Sequence, residues 1–180
     1  MEQEVELGNP RTGPLTGVRV ADFSAIFSGP IAGAMLADQG ADVIKVEAFS
    51  GDLMRKGYPQ SGGMASAFTS MNRNKRGLSV DLQTPEGKAI ATKLIQSADV
   101  VLENFRPGVM DRLGLGYEVF KDSHPKLVYA SINGVGSVGP YANRRVYDAV
   151  IQAISGFTAL RVDDKPEMVN SLICDKVTSL

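Results

Sequence analysis

The sequence predicts an α/β fold: a doubly wound, mainly parallel sheet with helices on both faces. Three observations carry that prediction. Short β-branched segments alternate with segments of helical period along most of the chain. The first strand, helix and second strand fit within about 30 residues, the length of a right-handed βαβ unit. Polar, glycine-rich stretches follow the strands, at Ser24–Gly29, Ala48–Gly51, Asn104–Gly108 and Asn133–Gly139. In such sheets ligands bind beyond the carboxyl ends of the strands.

Met1 to Pro14 reads as an extended polar lead-in. Val18, Val20 and Phe23 mark the first strand. Ser28-Gly29-Pro30 starts a helix carrying Ile31, Met35 and Leu36, and Gly40 stops it. Asp42 to Glu47 is the second strand, and Ser50 to Gly63 a long loop before a short helix near Ala65–Met71. Gly77 to Leu82 alternates as a third strand, after which Thr84-Pro85-Glu86 caps a helix with Ile90, Leu94 and Ile95 on one side. Asp99–Glu103 and Lys126–Ile132 are the fourth and fifth strands. Tyr147 to Ser155 is expected to be helical, closed by Gly156. Val169 to Ile173 is expected to be extended, and Asp175 to be the first residue of a last helix.

Composition narrows the function classes. The 180 residues hold 19 Lys+Arg and 20 Asp+Glu, a net charge of −1, with 43% apolar and 22% charged residues. That balance argues against nucleic-acid binding through a broad basic surface. A single cysteine cannot form an internal disulfide, and no apolar run approaches the roughly 20 residues that span a bilayer. The chain therefore reads as a soluble cytoplasmic protein with no membrane or nucleic-acid partner.

Catalytic signals are sparse. Gly29, Gly33 and Glu47 mimic the outline of a dinucleotide fingerprint but lack its Gly-x-Gly pair, and Gly134-x-Gly136-x-x-Gly139 has no helix start behind it. Both read better as flexible turns. His124 sits in an exposed turn setting, no metal-spaced His/Cys cluster exists, and Cys174 reads as a small core residue. The basic run Asn72–Arg76 reads as a solvated face. Asn104-Phe105-Arg106, with Arg112 one turn on, suits an adenine ring and phosphates as well as it suits a loop with a buried Phe105. Arg144-Arg145, beside Tyr147 and Asp148, reads equally as helix-start charge or as ligand contacts. Asp175 reads as a helix N-cap. These residue types leave the function open.

Leu15 to Phe23, Gly29-Pro30, Leu36 to Glu47, Asn72 to Arg76, Asp81 to Gly87, Asp99 to Gly108, Leu127 to Ile132 and Asp175 to Leu180 form an ordered set of segments. Taken together, they resemble the amino-terminal half of the family III CoA-transferases, the CaiB/BaiF family. The resemblance implies a Rossmann-like domain over 15–180 and a nucleophilic aspartate, Asp175, at the head of a helix. That helix start would keep the carboxylate ionised. It implies CoA or acyl-CoA as substrate, with no tightly bound cofactor and no metal, and a carboxylic acid as acceptor. CoA would lie across Phe27, Ser28, Val80, Asn104, Phe105, Arg106, Arg112, Arg145, Val146 and Tyr147. It implies an interlocked homodimer for the intact family member.

Three departures matter. The family often carries a cation just after the second strand, where this chain has Ala48, and the Arg73–Arg76 run is a candidate to replace that phosphate contact. The racemase branch of the family places a histidine where Tyr147 stands; a tyrosine with a pKa near 10 is a poor base, which favours transferase over an α-methylacyl-CoA racemase-like enzyme. The family also continues through a second domain. The 180 residues are therefore expected to be a fragment or one part of a split protein with little transfer activity alone, and a non-catalytic CoA-binding fragment is the remaining alternative.

Overall fold

The central strands carry adjacent apolar residues, and because successive side chains point to opposite faces, both sides of the sheet need covering helices. The computed structural model describes residues 12–57, 59–160 and 165–180. Strands β1 (Arg19–Asp22), β2 (Asp42–Glu47), β5 (Arg76–Ser79), β6 (Val100–Glu103) and β7 (Val128–Ser131) form one sheet in the order β5-β2-β1-β6-β7, every pair parallel. Val20 lies in register with Val43 on one face, and Ala21 with Val101 on the other. On the first face Val20, Val43 and Leu102 pack with Ala37 of helix α1 (Ser28–Asp38). On the second, Ala21, Val46 and Val101 pack with Ala91 and Ile95 of helix α3 (Pro85–Gln96) and with Leu115 and Phe120. Removing a ring as buried as Phe120 would cost about 3–5 kcal/mol.

Several expected boundaries hold for visible reasons. Thr84 caps α3 by accepting the Gly87 N–H at 3.0 Å. Gly40 follows the end of α1 with φ 97°, a conformation that favours glycine. Gly29 and Gly33 serve helix–sheet packing rather than a pyrophosphate. A Cβ on Gly29 would stand 2.2 Å from the Ser24 Cβ, and one on Gly33 would stand 2.8 Å from an Asp22 carboxylate oxygen.

Other expectations are corrected. The loop expected at Ser50–Gly63 contains a 3-10 turn (Leu53–Lys56) and one strand of a small hairpin, β3 (Gln60–Ser61) with β4 (Met64–Ala65), which leads into helix α2 (Ser66–Met71). Two short helices, α4 (Val109–Leu113) and α5 (Tyr117–Phe120), lie where none was expected. The third strand ends at Ser79, so Val80 lies beyond it and within the core at 4% exposure. Val169–Ile173 forms no strand. The Val169 N–H donates to Gln152 Oε1 and Ser171 O accepts from Gln152 Nε2, so one side chain takes the bonds a sheet would have made. The expected lead-in falls mostly on residues 1–11, outside the described residues.

The basic run at 72–76 is solvated at Arg73, Asn74 and Arg76, as expected, but not at Lys75. Arg73 pairs with Asp38 and Arg76 with Asp42. Lys75 is buried against Asp22 at 2.8 Å, and burial, partly offset by Asp22, lowers its pKa. Glu47, the acidic outline residue, binds Arg55 through both carboxylate oxygens at 2.7 and 2.6 Å.

Candidate functional site

In this strand order the chain leaves β1 toward β2 on one side and takes up β6 on the other. The loops after β1 and β6 therefore diverge and leave a crevice at their carboxyl ends. A cleft of about 400 Å³ occupies it. Its walls are Ala25–Ser28, Asn104–Pro107, Ile132–Val135, Arg144–Asp148 and residues of two further helices. Those helices are α6 (Asp148–Ile154), which contributes Ile151, and α7 (Ile173–Thr178), which contributes Cys174, Asp175 and Thr178.

Nine of the eleven site residues expected from sequence line this cleft: Phe27, Ser28, Asn104, Phe105, Arg106, Arg145, Val146, Tyr147 and Asp175. Val80 and Arg112 do not. Val80 is packed in the hydrophobic core, and Arg112 is exposed on α4. Ala48 does not line the cleft either.

Asn104 is committed to backbone. Its Oδ1 accepts the Ala25 N–H and its Nδ2 donates to Ala25 O, both at 2.8 Å, so its amide clasps the two sides of the switch point together. Glu103 accepts the Phe105 N–H at 2.8 Å and fixes the start of the same loop. Burial raises the Glu103 pKa, while hydrogen bonds from Ser131 and Phe105 oppose the rise.

Asp175 is the third residue of α7 rather than its cap; Leu172 occupies the cap position and makes no side-chain cap bond. The helix is capped instead by a carboxylate from another element. Asp148, 3% exposed, accepts the Asp175 N–H on Oδ1 at 3.0 Å, and Gln152 Nε2 donates to its Oδ2. Burial first, and the Asp148 charge second, raise the Asp175 pKa above its ordinary value. Both influences oppose the bias toward ionisation expected of a helix start. Ser179 Oγ lies 2.7 Å from Asp175 O and 2.8 Å from Ser28 O, and one hydroxyl proton shared between them ties α7 to the first turn of α1.

Arg106, Arg144 and Arg145 meet in the cleft, and none has a carboxylate partner among the described residues. The Arg144 guanidinium stands 4.8 Å above the Tyr141 ring. Unpaired guanidinium groups at a shared cleft are suited to a polyanion such as a chain of phosphates. Cys174 is half-buried in the cleft wall rather than in the core, and burial with the charges of Asp148 and Asp175 pushes its thiol up, away from the nucleophilic thiolate. His124 is half-buried in the turn after α5, with its backbone N–H donating to Phe120 O, and lies outside the cleft. Among the described residues no His, Cys, Asp and Glu cluster is spaced to hold a metal, and no helix is long and apolar enough to cross a membrane.

Sequence reasoning missed Asp148 as a site residue, although it stands next to Tyr147, and missed Ile26 and Ser179. Asp148 carried a usable signal as an acidic residue at a helix start. Ser179 carried none.

Fold and cleft define a doubly wound α/β domain with an anion-receptive crevice at its switch point and one half-buried carboxylate in the crevice wall. The profile of "CoA-transferase family III" matches residues 15–180. The chain is 41% identical to a succinate–glutarate CoA-transferase of Agrobacterium fabrum, over 94% of this chain and 45% of that protein. It is 43% identical to a formyl-CoA:oxalate CoA-transferase of Streptomyces avermitilis, over 81% of this chain and 36% of that protein. A CaiB/BaiF family protein from Brucella suis superimposes with a TM-score of 0.86 at 40% identity, covering 92% of this chain and 46% of that one. The chain belongs to CoA-transferase family III. It spans less than half the length of these relatives.

Proposed function

We propose that the protein, at its natural length, is a CoA-transferase that moves CoA between an acyl-CoA thioester and a carboxylic acid, with Asp175 as the covalent carrier. The observation that carries this reading is the meeting of the half-buried Asp175 with Arg106, Arg144 and Arg145 in one cleft. The arginines suit the phosphates of CoA, which is a substrate here and not a tightly bound cofactor.

The chemistry balances without a metal or an oxidant. An Asp175 carboxylate oxygen attacks the thioester carbonyl, the C–S bond breaks, and CoA leaves as thiolate with an acyl-aspartyl anhydride left behind. The thiolate then attacks the Asp175 carbonyl of the anhydride and releases the donor carboxylate, giving an aspartyl thioester. The acceptor carboxylate displaces the thiolate to form a second anhydride. Attack of the thiolate on the acceptor's carbonyl yields the new acyl-CoA and frees Asp175. A carboxylate whose pKa is raised is a somewhat stronger nucleophile once ionised, so burial beside Asp148 suits this role. Tyr147, exposed at the cleft, offers no base for α-proton abstraction, which favours transfer over racemisation. The family resemblance supports an interlocked homodimer.

Hydroxylamine trapping tests the reading. The natural-length protein mixed with acyl-CoA should yield a hydroxamate at Asp175. Turnover with Asp175 unmodified under those conditions would remove the aspartate from the mechanism.

A further inference from the structure

Ile26 is a β-branched residue at φ 71°, in the left-handed region where such side chains are genuine outliers. It lies in the cleft wall between Ala25 and Phe27. A backbone kept in that conformation needs surroundings that over-determine it. From the β6 side, the Asn104 amide clasps Ala25 through two hydrogen bonds of 2.8 Å. From the β2 side, Lys45 Nζ pairs with Asp52 Oδ2 at 3.0 Å, with side chains 3% and 1% exposed. Lys45 Nζ also donates to Ser24 O at 2.8 Å, and Asp52 Oδ2 accepts the Ile26 N–H at 3.2 Å. The pair therefore grips the turn on both sides of Ala25, yet neither member lines the cleft.

We infer that Lys45 and Asp52 are positioning residues, whose buried ion pair holds the strained Ile26 turn so that Phe27 and Ser28 form the wall that receives acyl-CoA. The ligand's identity rests on the transferase reading; the holding of the turn does not. A buried ion pair is by itself weak evidence for stability, since desolvating both charges offsets their attraction. Its geometry here gives it a different task. Without the pair, Ile26 relaxes out of the left-handed region, the binding-competent turn becomes a minor population, and apparent affinity falls by that fraction. Glycine at 26 adopts φ 71° without strain and restores the population.

The test uses the natural-length protein and the paired variant Lys45→Met/Asp52→Leu, which removes both charges together and leaves no unpaired ion in the core. KM for acyl-CoA is expected to rise about tenfold with kcat changed less than about threefold. Amide hydrogen exchange at Ile26 should quicken by at least about tenfold. Adding Ile26→Gly should return KM to within about threefold of the parent. Unchanged KM and exchange in the paired variant would overturn the inference. So would a raised KM that Ile26→Gly fails to lower, because the pair would then act on the fold at large and not on this turn. If the parent does not bind acyl-CoA, the transferase reading fails and the exchange arm decides alone: faster exchange at Ile26 upholds the holding role, and unaltered exchange ends it.

Discussion

The backbone N–H of Asp175 donates to Asp148 Oδ1 at 3.0 Å, so one carboxylate of the cleft anchors the helix that carries the other while repelling its charge. Asp148→Asn keeps a carbonyl oxygen for that bond and removes the charge. The Asp175 pKa should then fall, although burial, the larger cause of its elevation, remains. With the ionised form as nucleophile, the acid limb of kcat/KM against pH should move to lower pH. A limb that stays in place would show that Asp175 does not feel the neighbouring charge.

Asp175→Asn should separate chemistry from folding. Transfer should fall on the order of 10³-fold or more. Stability should change in the opposite sense. Because the folded-state pKa is raised, the folded protein binds this proton more readily than the unfolded chain, and stability is lost as pH rises from 3.8 through the folded pKa. The Asn variant escapes that loss, so its Tm should exceed the parent's at neutral pH and converge with it below pH 3.8. Thermal melts at both pH values check the sign.

Arg106→Ala and Arg145→Ala should each raise KM for acyl-CoA by about tenfold at low salt, with kcat much less affected. Both side chains are exposed at the cleft, so roughly 1 M salt should shrink each effect by screening. Steady-state kinetics at two ionic strengths decide this. A salt-independent change would point to packing.

Lys75→Met should destabilise the fold by about 3–5 kcal/mol in urea, because it strips the fully buried Asp22 of its counter-charge. Asp22 Oδ1 still accepts from the Ser24 N–H and hydroxyl, which limits the loss. A cost below about 1 kcal/mol would show that those two bonds suffice for the carboxylate.

Much of the frame was legible because it depends on local periodicity. The first strand around Val20, the Thr84 cap and the Gly40 stop each depend on a few neighbouring residues, and each stands as expected. The cleft was legible where motif and strand end coincide, as at Asn104–Arg106 after β6, while Asp175 was reached through the family resemblance. Val80 was misplaced because its strand stops one residue before it, and strand ends are set by neighbouring strands rather than by propensity. Within the run at 72–76, Lys75 was misread because it looks like any surface cation until Asp22, 53 positions away, is seen beside it.

The order of apolar and polar residues by itself determined a parallel doubly wound sheet, and with it a crevice at the end of β1, since backbone hydrogen bonding and burial of one-sided segments leave few other arrangements. Only the tertiary structure decided what fills and holds that crevice. Asp148 caps the Asp175 helix across 27 positions, Lys45 and Asp52 grip the Ile26 turn from outside the cleft, and three arginines stand there without counter-ions among the described residues. Such contacts join segments distant along the chain, and their strength comes from burial and close approach, neither of which is written in the identity of any single residue.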